Sequence, residues 1–238
     1  MIENTSLPKR FYKTVSVQPE GEAHAVLLDG RPLKTPGRRS LTLPSAAAAE
    51  AVAEEWRGQG ERIDPATMPV TRLANTIVDA IADDPSAVRE DLKRYAETDL
   101  LFYRADGPER LVERQSREWD PVLRWAEERV GALFLTGAGV MHIAQPPESV
   151  AAVAALLEAR TSGFEIAALH QMTTLTGSLI LSLAVIEARL DDVEAWRLAH
   201  LDEDWNIEQW GEDAEASARR AARFADMRAA ALIAARAR

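Results

Sequence analysis

Residues 25–35 read AVLLDGRPLKT and set the first part of the fold. An Asp-Gly pair directly after an apolar run predicts a β-hairpin, because both central positions of the favoured turn need positive φ. The preceding residues 11–17, FYKTVSV, alternate in part between apolar and polar side chains. We expect further short strands at Leu33–Thr35 and Leu41–Leu43, between the prolines and glycine of this region. The sequence therefore opens with a strand-rich region.

The chain changes character after Pro44, where Ser45 is placed to cap the amino terminus of a helix that runs to Trp56. Helical spacing and start signals predict further helices over Pro69–Ala82, from Pro85, over Glu109–Val130 with a new helix starting at Pro121, over Val150–Ala159, Ile166–Ile186 and Val193–Trp210, and from about Ala214.

Strands first and helices afterwards predict an α+β protein with segregated regions. We place a boundary near Asp84-Pro85. Residues 1–84 are then a small strand-rich amino-terminal domain with one or two helices, and residues 85–238 are a larger all-helical carboxy-terminal domain.

Composition excludes several classes of function. The 238 residues include 28 Lys plus Arg and 38 Asp plus Glu, so the formal charge is -10 and nucleic acid is not an expected partner. The chain contains no cysteine, which excludes disulfides, thiolate metal sites and a cysteine nucleophile.

Neither the amino terminus nor the most apolar internal segment predicts a membrane protein. Residues 1–13, MIENTSLPKRFYK, lack the apolar run of a secretory signal, so we expect a cytosolic protein. The segment Ile166–Ile186 has no charged side chain over about the length that crosses a bilayer. It also carries His170, Gln171 and several hydroxyl groups, which favour a helix buried in the protein over one in lipid.

Catalytic motifs are scarce. The chain contains no Gly-x-Gly-x-x-Gly, no phosphate loop and no Gly-x-Ser-x-Gly sequence. The best candidate for a metal site is His200 with Asp204 and Glu208, spaced four residues apart on one helical face. A solvated acidic face is the alternative interpretation of the same spacing. A small-molecule enzyme or metalloprotein that uses these three residues stays open as the alternative function.

The most unusual segment is residues 196–215, WRLAHLDEDWNIEQWGEDAE, which holds three of the six tryptophans. Asp202–Glu215 contains seven carboxylates and no basic residue. If Trp196–Trp210 is one helix, Glu203 lies in an apolar stripe with Ile207 and both end tryptophans, whereas Trp205 lies on the opposite flank. A carboxylate in such a stripe needs water or a cation.

Two explanations of this acidic segment remain. The last helix supplies Arg219, Arg220, Arg223 and Arg228, which could pair with the acidic helix internally. Alternatively, Glu203 and the carboxylates after Trp210 stay partly free and contact a basic feature of another protein. A second candidate surface is the exposed edge of the amino-terminal sheet, which could accept a partner strand.

Several ordered blocks resemble one known family over about Lys9 to Arg220. They are similar to the assembly chaperones of the F1-ATPase α subunit, the ATP synthase F1 assembly factor 2 type. The blocks are Lys9–Lys13, Leu28–Pro36, Glu55-Trp56 with Gln59, Ile63–Pro65, Met68–Thr71, Tyr95 with Thr98–Leu101, Tyr103-Arg104, Gln115 with Trp119–Pro121, Leu175–Ser178, Asp202-Glu203 and Trp210-Gly211.

The resemblance implies a chaperone without enzymatic activity or cofactor, which binds the F1 α subunit and shields it from aggregation until the F1 head assembles. It implies a bacterial member of the family that acts in the cytoplasm. It also attaches importance to acidic residues of the last helical region. Together with the two tryptophans beside them, the expected partner-binding residues are Glu203, Trp205, Glu208, Trp210, Glu212, Asp213 and Glu215.

Overall fold

The computed structural model describes residues 7–235. Residues 1–6, part of the stretch considered for a leader signal, lie outside this range. The strands are β1 (Val15–Glu20), β2 (Ala23–Leu28), β3 (Arg31–Pro32), β4 (Thr42–Leu43), β5 (Tyr103–Arg104) and β6 (Gly137–Ala138). The α-helices are α1 (Ala46–Arg57), α2 (Pro69–Thr76), α3 (Ser86–Thr98), α4 (Glu109–Val130), α5 (Pro147–Glu158), α6 (Gly163–Thr176), α7 (Leu179–Ile186), α8 (Asp192–Ala199), α9 (Leu201–Trp210) and α10 (Ala214–Ala234).

This order of elements is α+β, as expected from the sequence. Contacts divide the chain into two compact units, one containing residues up to Asp84 together with those from Leu232 onward, the other containing Pro85–Ala231.

The first unit is built on an antiparallel sheet in which β2 is central. It pairs with β1 on one side and with β3 and β4 on the other. The Asp29-Gly30 turn has φ of 48° and 75°, so the predicted hairpin between β2 and β3 is confirmed. Ser45 caps α1 by accepting a bond of 3.1 Å from the Ala48 N–H, and the alanine-rich face of α1 packs on the sheet.

The strand predicted over Leu33–Thr35 does not form as expected. The strand after the turn is only Arg31–Pro32, and the following segment is held by the Asp79 carboxylate instead. That carboxylate accepts bonds from the Thr35 hydroxyl at 2.6 Å and from the Gly37 N–H at 2.8 Å. Leu33 still donates to the Val26 carbonyl oxygen at 2.8 Å and accepts from the Leu41 N–H at 2.9 Å, and Lys34 forms an isolated bridge with Ser40. The expected strand is therefore reduced to single backbone contacts beside this side-chain anchor.

Helix α4 anchors the second unit and runs without a break, so the prediction of a new helix at Pro121 is wrong. A proline inside a helix removes one hydrogen bond and costs about 3 kcal/mol. The carbonyl that loses its intrahelical donor belongs to Arg117, an exposed residue. Trp119 and Leu123 are buried, and their packing outweighs the cost of the proline.

The predicted helix Ile166–Ile186 is two helices. Gly177 takes φ 72° and ends α6, and Ser178 then caps α7 through a bond of 3.0 Å from the Leu181 N–H. Both helices are buried, as their hydropathy predicts. No helix within residues 7–235 has the length and apolar character needed to cross a bilayer.

The predicted helix Val193–Trp210 is also divided. His200 has φ -110° and separates α8 from α9, while its ring Nδ1 lies 2.8 Å from the Trp196 carbonyl oxygen. This side-chain contact occupies a carbonyl at the end of α8 and stabilises the break.

Candidate functional site

An open groove of about 700 Å³ lies beside α9 and α10 in the second unit. Its apolar wall includes Trp196, Ile207 and Phe224, and the Trp196 and Phe224 rings lie 5.3 Å apart. Although the predicted single helix is broken at His200, Trp196, Glu203, Ile207 and Trp210 all line this groove. The lining comes from α8, α9, residues 211–213 and the first half of α10.

The three tryptophans of this region have different environments. Trp196 is buried, with 6% of its surface exposed, and its ring is tilted against the His200 ring with 3.9 Å between the centroids. Trp210 is 87% exposed at the edge of the groove. Trp205 is half-buried and is not part of the groove lining. The groove therefore combines a fixed aromatic floor with one solvated indole, a composition typical of protein-binding surfaces.

Glu203 faces the groove with 46% of its side chain exposed. Among residues 7–235 the one basic side chain within 4 Å of its carboxylate is His200, whose Nε2 lies at 3.9 Å. Burial holds the pKa of His200 below its usual range, so the imidazole is neutral at pH 7. Glu203 thus carries a charge that no cation of the described chain neutralises by direct contact.

Two neighbouring carboxylates on α9 differ from Glu203 because they pair internally. Asp204 binds Arg220 of α10, and both side chains are mostly buried. Glu208 accepts bonds of 2.8 and 2.9 Å from the Arg114 guanidinium of α4. Glu208, one of the expected partner-binding residues, thus lies in a contact between α9 and α4 with about half of its side chain exposed.

The acidic residues after Trp210 have local roles at the start of α10. Asp213 accepts a bond of 2.7 Å from the Ala216 N–H, which caps the helix. Glu212 accepts a hydrogen bond from the Ser217 hydroxyl, and Glu215 pairs with Arg219. Glu212 and Asp213 line the groove, whereas Glu215 does not.

The alternative metal site is not assembled. Asp204 and Glu208 are bound to different arginines, and His200 is buried against the Trp196 carbonyl. Within the described part of the chain, no set of three acidic or histidine side chains converges to hold a metal ion.

The edge of the amino-terminal sheet is a poor acceptor for a partner strand. The residues of β1 that face away from β2 include Pro19, which has no N–H, and Val15, whose carbonyl oxygen already accepts bonds of 3.3 and 3.4 Å from Arg57. Proline and charge are common protection of an edge strand. This second candidate surface is therefore largely closed.

Sequence reasoning missed the contribution of α10 to the groove. Phe224 and Arg220 both line it, and neither was assigned a role in binding. Phe224 is the one aromatic residue of α10. That isolated ring in a helix rich in alanine and arginine is the signal that could have identified it.

Comparisons with known proteins point to one family. The model of the family described as ATP12 chaperone protein matches residues 9–127. The mitochondrial protein atp12 of Schizosaccharomyces pombe is 24% identical over 215 residues, which cover 85% of this chain and 74% of that protein.

Two solved structures are also similar to this chain over nearly its whole length. The structure of Atp12 from Paracoccus denitrificans is 43% identical, with a TM-score of 0.86 over 95% of this chain and 97% of that one. The Atu1473 protein from Agrobacterium tumefaciens is 52% identical, with a TM-score of 0.89 over 96% of this chain and 85% of that one.

Proposed function

Because the chain belongs to the ATP12 chaperone protein family, we propose that it is an assembly chaperone of ATP synthase whose client is the F1-ATPase α subunit. The client is the protein that the chaperone holds before assembly. In this proposal the chaperone covers an aggregation-prone surface of the α subunit until the F1 head forms. The choice of the α subunit follows the family resemblance of the ordered sequence blocks.

The observation that carries the proposal is that one groove holds both an exposed indole and a carboxylate without a salt bridge to arginine or lysine among the described residues. Trp210 is 87% exposed, and Glu203 forms no salt bridge with arginine or lysine among residues 7–235, although Arg220 attracts it at longer range. Exposing a large apolar ring to water is unfavourable, and a partner that covers it gains that free energy.

The charge of the groove selects among partners. Glu203 and the groove-lining residues Glu212 and Asp213 are acidic, whereas Arg220 is already bound to Asp204. We propose that the client presents a basic side chain to Glu203 beside an apolar side chain that covers Trp210. Complementary charge of this kind adds specificity and speeds association more than it adds affinity.

We also propose that the protein works without catalysis and in the bacterial cytoplasm. A holding chaperone needs reversible binding and no reaction chemistry. The alternative of a metal-dependent enzyme loses its main support because His200, Asp204 and Glu208 are engaged in separate contacts.

The proposal is tested by refolding purified F1 α subunit and following its light scattering, with and without this protein. We expect a stoichiometric amount to suppress aggregation and the Glu203→Lys variant to lose most of the effect. Glu128→Lys is the matched control, because it makes the same charge change at an exposed position of α4 outside the groove. Equal aggregation with and without the wild-type protein would refute the proposed client.

A further inference from the structure

A second surface of the helical unit lies in the segment between α4 and α5. This segment, residues 131–145, reads GALFLTGAGVMHIAQ and contains no Asp, Glu, Lys, Arg or Pro. Four of its side chains are large, apolar and exposed: Leu133 at 70%, Leu135 at 50%, Val140 at 96% and Met141 at 78%. Such a concentration in a chain of net charge -10 calls for an explanation.

The exposed leucines are held in place by side chains that bind their backbone. The Gln145 amide donates to the Leu135 carbonyl oxygen and accepts from the Leu135 N–H, each at 2.9 Å. The Ser149 hydroxyl donates to the Leu133 carbonyl oxygen at 2.5 Å, and Glu127 accepts from the Phe134 N–H at 3.0 Å. Phe134 is buried between the two leucines. The extended conformation that points both leucines outward is therefore fixed.

The middle of the same segment forms the short strand β6, whose outer edge is open. β6 pairs with β5 in parallel, and the Gly139 N–H donates to the Arg104 carbonyl oxygen at 2.8 Å. Residues that bond to one neighbour alternate along a strand, so Gly137 and Gly139 face β5 while Thr136 and Ala138 face the other way. No residue of the range 7–235 forms a backbone hydrogen bond with Thr136. Thr136 and Ala138 are both exposed.

This edge lacks the protection that the chain gives to the outer strand β1 of the first unit. On β1, Pro19 removes a donor, Glu20 adds charge and Arg57 occupies a carbonyl. On β6, no proline, charge or arginine is present, and Gly137 allows Ile143 to pack closely, since a Cβ there would lie 2.8 Å from the Ile143 side chain. Unprotected apolar edges favour pairing with another strand.

We propose that the outer edge of β6 is a docking site for an extended, uncharged, apolar segment of a partner protein, bound by strand addition. The backbone of Thr136 and Ala138 supplies the hydrogen bonds, and the exposed leucines beside it cover the apolar side chains of the incoming strand. We expect the partner segment to be uncharged, because residues 131–145 contain no Asp, Glu, Lys or Arg that could pair with a basic or acidic peptide. The site is separate from the groove, and no residue of 131–145 lines that groove.

The test uses the full-length protein and a fluorescein-labelled peptide of alternating threonine and valine, seven residues long, in fluorescence polarisation. We expect saturable binding of this peptide and none of the same peptide methylated on every backbone nitrogen. Ala138→Pro, which removes the outward N–H, and Leu135→Lys should each weaken binding at least tenfold. Gln18→Lys, an exposed position on β1, makes the same charge change as Leu135→Lys and should change binding less than twofold.

Leu135→Lys substitutes an exposed side chain, so the test does not depend on whether the proline variant folds. The proposal is overturned if the methylated peptide binds equally well, if both variants bind like wild type, or if no peptide binds. Concentration-dependent dimers that disappear in Leu135→Lys would also overturn it, because a second copy would then occupy the edge. The assay contains no α subunit, so its outcome is independent of the proposed function.

Discussion

The Asp99 carboxylate accepts a hydrogen bond of 2.7 Å from the Ser178 hydroxyl, and both side chains are buried. Asp99 also accepts backbone N–H bonds from Ile180 and Leu101, each at 3.0 Å. It thereby joins the turn after α3 to the start of α7 across 79 positions of sequence. Burial outweighs these bonds and raises the pKa of Asp99 to about 6.

The raised pKa of Asp99 predicts a specific pH dependence of stability. The unfolded chain loses this proton near pH 4, whereas the folded protein keeps it until about pH 6. The contribution of Asp99 to the free energy of unfolding is therefore full below pH 4 and falls as pH rises to about 6, by about 3 kcal/mol in total. Urea unfolding of wild type and Asp99→Asn at pH 4, 5, 6 and 7 measures it. The stability advantage of the wild type should shrink with pH, and a constant or growing advantage would show that the assignment is wrong.

Gly177 predicts a cost that comes from backbone conformation alone. Its φ is 72°, and a Cβ there would meet only Leu100 at 3.8 Å, an ordinary contact. Gly177→Ala should therefore lower the free energy of unfolding by about 1 kcal/mol. Gly58→Ala at the end of α1 is the control, because φ there is -70° and alanine adopts it without strain. Denaturant unfolding of both variants checks this, and equal effects would contradict the backbone explanation.

The two groove tryptophans predict opposite effects on stability and binding. Trp210 is 87% exposed, so Trp210→Ala should change the free energy of unfolding by less than about 0.5 kcal/mol while weakening α-subunit binding. Trp196 is buried, so Trp196→Ala should cost about 3–5 kcal/mol of stability. Chemical unfolding and a binding titration on the same samples separate the two. A Trp210→Ala variant that binds like wild type would remove the indole from the contact.

The Arg114–Glu208 pair predicts that one of the expected partner-binding residues has little effect on the client. Glu208 is about half exposed and bound to an arginine of α4, so Glu208→Gln should cost less than about 1 kcal/mol of stability. We expect α-subunit binding to stay within threefold of wild type. The same titration with Glu203→Gln should show a loss of at least tenfold. Equal losses in the two variants would mean that overall acidity matters and the position in the groove does not.

Short sequence motifs correctly predicted the structural elements that depend on neighbouring residues. The Asp29-Gly30 hairpin and the Ser45 cap depend on residues close in sequence, and both formed. The break at His200 has no glycine or proline to mark it. Helix α4 continues through Pro121 because the burial of Trp119 and Leu123, which flank the proline in sequence, outweighs the lost hydrogen bond. The pairing of β5 with β6 joins two-residue strands that are distant in sequence, and no short pattern announces such a pair.

The candidate groove was only partly predictable for the same reason. Helical spacing placed Glu203 with Ile207 and Trp210, and the structure keeps them together. Whether each carboxylate has a cation depends on which helix packs beside it. Asp204 meets Arg220 and Glu208 meets Arg114, contacts that span 16 and 94 positions of sequence. Those pairings single out Glu203, which the charge count alone could not do.

The most direct test of the groove as the client site is the affinity of purified F1 α subunit for wild type, Glu203→Lys and Glu128→Lys, measured by titration and confirmed by co-elution on a sizing column. We predict a complex with the wild type and with Glu128→Lys, and at least a hundredfold weaker complex with Glu203→Lys, whose circular dichroism should match wild type. A Glu203→Lys variant that binds the α subunit as tightly as wild type would contradict the account.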